Sequence, residues 1–270
     1  MAQLLSNLPV GAKVKFGKHQ VGGETPWGIA WLIVAKSHPG YPANSITLLT
    51  DQIIDTRAYD AREPNNANES RRNEGNNRYS VSNIDQWLNS RSASWYTATH
   101  SADTPPRADY LLNEQGSYAY DTRNGFLFNF TSEEYSAILD TTIRSIIPSV
   151  DGGGYEDISR KAFLPSNTEL RSYAVNEIFE GTQFEWFAKN PVFTCTVAPL
   201  ARANGAASPP SPSDSWRWRT RTGFGYYGFN AGSATVYVAD DGSYNSTGAY
   251  ISAVGIRPVV NLASTVFFVK

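Results

Sequence analysis

Cysteine is almost missing from this chain of 270 residues: Cys195 stands alone, so no intrachain disulfide can form. A lone thiol can act as a nucleophile. Cys195, however, sits in the alternating, strand-like run Val192-Phe193-Thr194-Cys195-Thr196-Val197, where it reads as a small buried hydrophobe. Histidine is scarce too. His19, His38 and His100 stand far apart, without the spacing of a metal site. A surplus of basic charge is also lacking: 23 Lys and Arg face 25 Asp and Glu, for a net charge of −2, which argues against nucleic acid as a ligand. Long apolar runs are missing as well, and stretches such as Ile29 to Ala35 are too short to cross a bilayer. Leu4, Leu5 and Leu8 lack a basic flank and a long apolar core, so no secretory signal is expected. The sequons at Asn68, Asn129 and Asn245 accordingly carry little weight.

What the chain does have is a concentrated binding-type composition near its end. Of the 29 residues from Thr222 to Tyr250, 16 are Gly, Tyr, Ser or Asn, and none is Lys, Arg, Glu or His. Tyr offers broad contact area with few rotors to freeze, and Ser, Gly and Asn offer adaptable hydrogen bonding, as in a paratope. An active site would show acids, bases or a nucleophile instead. A set of Gly-rich hairpins whose tyrosines only pack has the same composition, so both readings stand.

Local patterns place the elements. Val14 to Lys18, Ala30 to Ala35 and Ser45 to Thr50 read as strands of a small antiparallel sheet. The polar stretch Asp60 to Tyr79 has the composition of a disordered linker, yet it runs directly into a helix. There Ser82 is placed to cap, and Ile84, Trp87 and Leu88 form an apolar stripe. A second helix is expected after Thr131, turning Tyr135, Ile138 and Leu139 inward, and a short third one after Ser166. Asp241-Gly242 between strand-like runs marks a hairpin. Ile256 to Leu262 reads as a late strand, with Pro258 signalling an edge or a bulge. The Ser208-Pro209-Pro210-Ser211-Pro212 segment reads as a surface excursion within one domain of residues 1–270, because the chain beyond Pro212 is too strand-poor to close its own core.

Several segments together carry a family resemblance. They are Trp27 to Val34, Leu48-Leu49-Thr50, Ile84 to Asn89, Asp151 to Ile158, Phe163 to Ser166, Trp218-Arg219-Thr220-Arg221, and Gly255-Ile256-Arg257-Pro258-Val259-Val260-Asn261-Leu262. In this order the chain resembles variable proteins of phages and bacteria with a C-type-lectin-type fold, many of them diversified by retroelements and several serving as phage receptor-binding proteins. The resemblance implies an irregular, loop-rich α+β fold with a small antiparallel sheet and two or three short helices, related to formylglycine-generating enzymes. It also implies a variable ligand-binding region over residues 216–262. Phe224, Tyr226, Tyr227, Phe229, Asn230, Tyr237, Tyr244, Asn245, Ser246, Tyr250 and Ser252 carry the residue palette of diversified positions. The partners it implies are a bacterial cell-surface protein or glycan and phage tail or fibre proteins, with the protein located in the virion tail or on a bacterial surface. Weak affinity at one patch favours repetition, so a homotrimer is expected, with residues 1–12 as an attachment segment and Val10 to Phe16 as the docking strand.

Other constellations are weaker. The oxidases of the related fold use a pair of cysteines, and Cys195 alone cannot supply that chemistry, so no catalytic role and no cofactor is expected. Asp151, Glu156 and Asp157 around three glycines offer oxygen ligands for a structural calcium ion, but lack regular ligand spacing; a Gly-rich turn with capping carboxylates fits them better. Arg71 and Arg72 near Asp60, Arg62 and Glu63 read as loop-pinning ion pairs rather than an anion site. Asp240-Asp241 lies on a hairpin tip, too wet to tune as a hydrolytic pair. The readings left beside receptor binding are a structural tail or surface protein with no ligand of its own, and an enzyme on a lectin-like scaffold.

Overall fold

The strand-like segments near the start of the chain do pair, and in a larger sheet than expected. The computed structural model describes residues 2–112, 118–224 and 231–269. Among these the protein is a mixed α+β fold of antiparallel sheets with short helices. A terminal ribbon joins β1 (Ala2–Leu4) to β14 (Phe267–Val269). The first large sheet has the order β2 (Lys13–His19), β3 (Trp27–Lys36), β4 (Ser45–Thr50), β13 (Val259–Ala263) and β8 (Ala162–Phe163). The second has the order β11 (Tyr244–Gly248), β10 (Ala234–Val238), β9 (Trp218–Gly223), β12 (Gly255–Ile256) and β5 (Asp55–Thr56). A separate ribbon pairs β6 (Thr141–Ile146) with β7 (Tyr155–Arg160).

The late strand expected over Ile256 to Leu262 is in fact two strands in two sheets. Arg257 and Pro258 alone separate β12 from β13, so the proline marks a change of sheet rather than a bulge. Arg257 fixes the crossing by donating from Nε and Nη2 to the Thr50 carbonyl at 3.0 and 2.9 Å, with its guanidinium 4.6 Å from the Trp218 ring centroid. The Val192–Val197 run departs further from expectation: only Thr196 and Val197 form isolated bridges, to Ser215 and Ile53.

Short capped helices connect the sheets, six in place of the two or three expected among the described residues. They are α1 (Glu69–Glu74), α2 (Asn83–Leu88), α3 (Ser132–Ala137), α4 (Asn167–Leu170), α5 (Glu185–Lys189) and α6 (Pro199–Ala203). Ser82 caps α2 as predicted, while Thr131 and Ser166 form full capping boxes with Glu134 and Glu169. α3 stops at Ala137, so Ile138 is buried from just past the helix end. Helices of four to six residues cannot hold themselves in water; buried side chains anchor five of them, while α3, which has none, has its capping box.

The polar stretch Asp60 to Tyr79 is part of the interior. The Asp60 carboxylate accepts from the backbone of Asn76 and Asn83, both at 2.9 Å, tying the ends of the stretch together. Burial, with the nearby Glu63 charge, pushes the Asp60 carboxyl well above its ordinary range. Residues 3–12 are mostly half-buried: Leu5 is fully buried, its amide donates to Val266, and the Gly11 amide donates to Ile33. Gly11 adopts φ +93° directly under Trp186, where any Cβ would fall 2.3 Å from the indole. The expected attachment segment is therefore docked on its own protein from Leu5 onward.

β9 runs through the centre with all six residues buried, two of them arginines. Arg221 meets Glu169 through paired contacts of 2.6 and 2.7 Å, and Tyr41 donates its hydroxyl to the same carboxylate at 2.7 Å. Burial would raise the Glu169 carboxyl, but the Arg221 guanidinium overrides it and holds it below the usual range. Removing one partner from a buried pair costs about 3–5 kcal/mol, because the other charge is stranded. Glu169→Gln should lower unfolding free energy by about that amount in urea titration. Glu185→Gln, which breaks the exposed pair with Lys189, should cost less than about 1 kcal/mol.

The strands after Pro212 pair with strands that precede it: β13 with β4 and β8, and β12 with β5. Limited proteolysis between Ser208 and Ser213 should therefore leave two fragments that co-elute on size exclusion. A C-terminal fragment that elutes alone and folded contradicts the single-domain reading.

Candidate functional site

The Tyr/Ser/Asn-rich window is built on β10 and β11, joined by the turn Ala239 to Ser243. The turn closes with Ala239 N donating to Ser243 O at 2.8 Å and Gly242 N to Ala239 O at 3.0 Å. Gly242 has φ +83°, the left-handed conformation anticipated for the Asp-Gly pair. Asp241 organises this turn by accepting from the Ser243 hydroxyl at 2.6 Å and amide at 2.8 Å, bonds that lower its carboxyl. Asp240 accepts from the Asp241 amide. The two carboxylates are turn-formers on an exposed tip.

Register divides the predicted residues between the two faces of the hairpin. Tyr244 lies opposite Val238 and Ser246 opposite Val236, while Asn245 lies opposite Tyr237. Directly opposed residues point to the same side, so Tyr244 and Ser246 share one face and Tyr237 and Asn245 the other. β11 is the edge of its sheet, which brings both faces to the surface there. Tyr244 and Asn245 are exposed, and Ser246 is half-buried. The Asn245 side chain accepts from the Ser246 amide at 2.8 Å.

Each face has neighbours from outside the window. Tyr244 packs on Tyr173 with centroids 5.7 Å apart, and both are substantially exposed. Between them the Arg171 guanidinium lies 4.0 Å from the Phe193 centroid and 5.7 Å from that of Tyr244, and it donates to the Gly242 carbonyl. On the opposite face Tyr237 is half-buried and lines a shallow hollow of about 310 Å³ with Trp216, Arg217, Ala239 and Asp240. Tyr173, Arg171 and Phe193 escaped the sequence reading. The one signal was the palette itself, since Arg171-Ser172-Tyr173-Ala174-Val175-Asn176 repeats it in miniature.

The remaining predicted residues lie elsewhere. Tyr250 is half-buried with the Arg62 guanidinium 6.0 Å from its ring, and its amide donates to Glu74. Ser252 is fully buried and donates its hydroxyl to the Leu112 carbonyl at 2.9 Å, so it is withdrawn from the surface set. Phe224 is half-buried, its amide bonded to Ala234. Tyr226, Tyr227, Phe229 and Asn230 fall outside the described residues. The described ends of that segment are gathered by one side chain: Asn77 Nδ2 faces the carbonyls of Phe224, Ala231 and Ala234 at 3.2, 3.3 and 2.9 Å.

Behind this surface the support is rigid and polar. Arg219 is completely buried and directs its donors to Arg57 O, Thr235 Oγ1, Ala249 O and Ile251 O. Burial lowers its pKa to about 9. Glu180, whose carboxyl burial raises, receives the Ile146 amide at 2.8 Å and the Thr222 hydroxyl.

The carboxylates considered for calcium are largely engaged by cations. Asp151 takes both terminal nitrogens of Arg71 at 2.7 and 2.6 Å, and Glu156 takes Arg78 at 3.0 and 2.8 Å plus the Ser80 hydroxyl. Arg71 thus ties α1 to the turn bearing Asp151, an ion pair of the kind expected, while Arg72 donates to the Asn66 carbonyl. Among the described residues no group of three or more His, Cys, Asp or Glu is placed to hold a metal. Cys195 is buried, its thiol pushed up by desolvation, with Sγ 3.7 Å from the Asp51 carbonyl.

The family model that matches this chain covers residues 44–264 and is described as a domain of unknown function, DUF6273. The chain belongs to that family. No curated protein and no solved structure matches it.

The hairpin depends on its turn. Gly242→Ala forces an L side chain into φ +83° with its Cβ 3.2 Å from Thr194 Cγ2. It should cost about 1 kcal/mol or more in denaturant titration. An unchanged midpoint would show that the turn relaxes without strain.

Proposed function

We propose that this protein is a receptor-binding module on a C-type-lectin-type scaffold, associated with a phage tail and used to recognise a bacterial surface protein or glycan. The recognition surface is the β10–β11 hairpin with Tyr237, Tyr244, Asn245 and Ser246, joined by Phe224, Tyr250 and the segment carrying Tyr226, Tyr227, Phe229 and Asn230. The observation that carries this reading is the exposure of Tyr244 and Asn245 on an edge strand, in the same sheet as a β9 strand whose every residue is buried. Such a division lets contact residues vary without disturbing the fold. It also holds the tyrosines in place before contact, which reduces the entropy lost on binding. Tyr173, exposed beside Tyr244 and backed by the buried Arg171, extends the same surface beyond the window.

Attachment to a tail or fibre partner, or assembly as a homotrimer, falls to β2 in this reading. The segment assigned to it is Val10 to Phe16, which leads into β2, the outer strand of its sheet. Repetition on a symmetric carrier would multiply a modest single-site affinity by about 10²–10⁴.

Aromatic anchors at interfaces typically cost about 2 kcal/mol or more when truncated. Tyr237→Ala combined with Tyr244→Ala should weaken attachment of labelled protein to bacterial cells by about tenfold or more, with melting shifted by only a few degrees. A large fall in melting temperature with attachment intact would make these rings structural and sink the proposal.

A further inference from the structure

A large open groove lies away from the hairpin and shares no residue with it. It has a volume of about 790 Å³ and runs between α2 with the loop beyond it, the α3 residue Tyr135, and the end of β7. That is within the roughly 300–1,000 Å³ typical of ligand sites. No Val, Leu, Ile, Phe or Met side chain lines it. Its apolar lining comes from the rings of Trp95 and Tyr135, with no aliphatic side chain to receive a lipid tail.

Its polar lining is hydroxyls, amides, three cations and two carboxylates, Asp85 and Asp140. Ser90 Oγ accepts the Ser92 amide at 3.0 Å, and Ser92 Oγ accepts the Ser94 amide at 3.1 Å. Each of those hydroxyl protons is left to donate outward, with the oxygen held still by its backbone bond. The groove's cations differ in their occupation. Arg160 is paired with Asp85 at 2.6 Å, and Lys161 donates to Ile138 O at 2.5 Å with Asp140 at 3.5 Å. Arg91 is exposed and makes one hydrogen bond, of 3.4 Å, to Phe130 O. Among the described residues no carboxylate pairs with it. Its guanidinium lies 4.5 Å from the Tyr135 centroid, and Lys161 Nζ lies 5.0 Å from the same ring, which pre-positions the Arg91 fork at the rim.

The geometry points to a second binding site for a polyhydroxylated chain bearing an anionic substituent, carboxylate or phosphate, with Arg91 receiving the anion and the serine hydroxyls receiving the sugar or polyol. A planar guanidinium meets either anion through two parallel hydrogen bonds. Immobilised hydroxyl donors suit a ligand whose own groups both donate and accept. Trp95 forms part of the wall and is locked by stacking on Tyr120 at 5.3 Å and by donating Nε1 to the Tyr120 carbonyl at 3.0 Å, so the groove keeps its shape without a ligand.

Calorimetric titration of the full chain tests the site with four probes: an oligogalacturonate, a glycerol-phosphate oligomer, a neutral malto-oligosaccharide and polyglutamate. At least one of the first two should bind tenfold or more tighter than the neutral chain and the polypeptide, and the tighter of the two identifies the anion. Arg91→Ala should erase that preference, Arg91→Lys should restore part of it, and Ser92→Trp, at an exposed position, should block binding. Tyr244→Ala should leave all of this unchanged, which separates the groove from the hairpin surface. Circular dichroism melts confirm that each variant is folded. Absence of binding by every probe at millimolar concentration, or binding that Ser92→Trp leaves intact, overturns the site. Equal affinity for neutral and anionic chains, or polyglutamate binding as tightly as either anionic oligomer, overturns the ligand class.

Discussion

The fold depends on placing charged guanidinium groups in its interior and satisfying them there. Arg221 and Glu169 form the central contact, because five stretches of chain meet at it: β9, α4, the loop bearing Tyr41, and the two stretches that supply the backbone carbonyls of Leu164 and Glu180, to which Arg221 also donates at 3.0 and 2.8 Å. A loop-rich protein has few long ladders to hold irregular chain in place. A rigid fork with several donors can gather carbonyls that no strand would pair. Arg219 and Arg257 repeat the device without a carboxylate, one against three carbonyls from two loops and the other against Thr50 and Trp218. The specificity is bought with desolvation, which is why these side chains tolerate so little change.

Aromatic packing does the same for the apolar side. Trp87 brings together His19, Tyr120 and Phe126 at centroid distances of 5.7 to 6.0 Å, and its indole donates to Asn124 O. Under it, His19 and Arg57 share the Asp55 carboxylate at 2.9 and 2.8 Å. Rings and a buried ion cluster together fix the approach of the long loops to the first sheet, where helices of four to six residues could not.

How much of this was legible in the sequence varies with the range of the interaction. The caps at Ser82, Thr131 and Ser166 and the turn at Asp241-Gly242 are local chemistry, and they read correctly. The Asp60 to Tyr79 stretch misleads by composition, because its burial comes from partners far away: Asp151 for Arg71, Glu156 for Arg78 and three carbonyls of the 224–234 region for Asn77. The two-sheet arrangement was hidden for a similar reason. The strands that complete each sheet, such as β5, β8 and β12, have two residues each, too few for any periodicity to show. At the candidate surface the palette picked out Tyr244 and Asn245, which are exposed, but the division between faces depends on register. Ser252 shares the palette and lies in the interior.

Asn77 has a consequence for evolvability. It holds Phe224, Ala231 and Ala234 by their main-chain carbonyls, groups that every amino acid possesses. A holder that reads only backbone is indifferent to the side chains of the residues it grips, much as a type case accepts any letter cut to the same shank. Asn77 therefore constrains where these three backbones sit and makes no demand of its own on which side chains they carry.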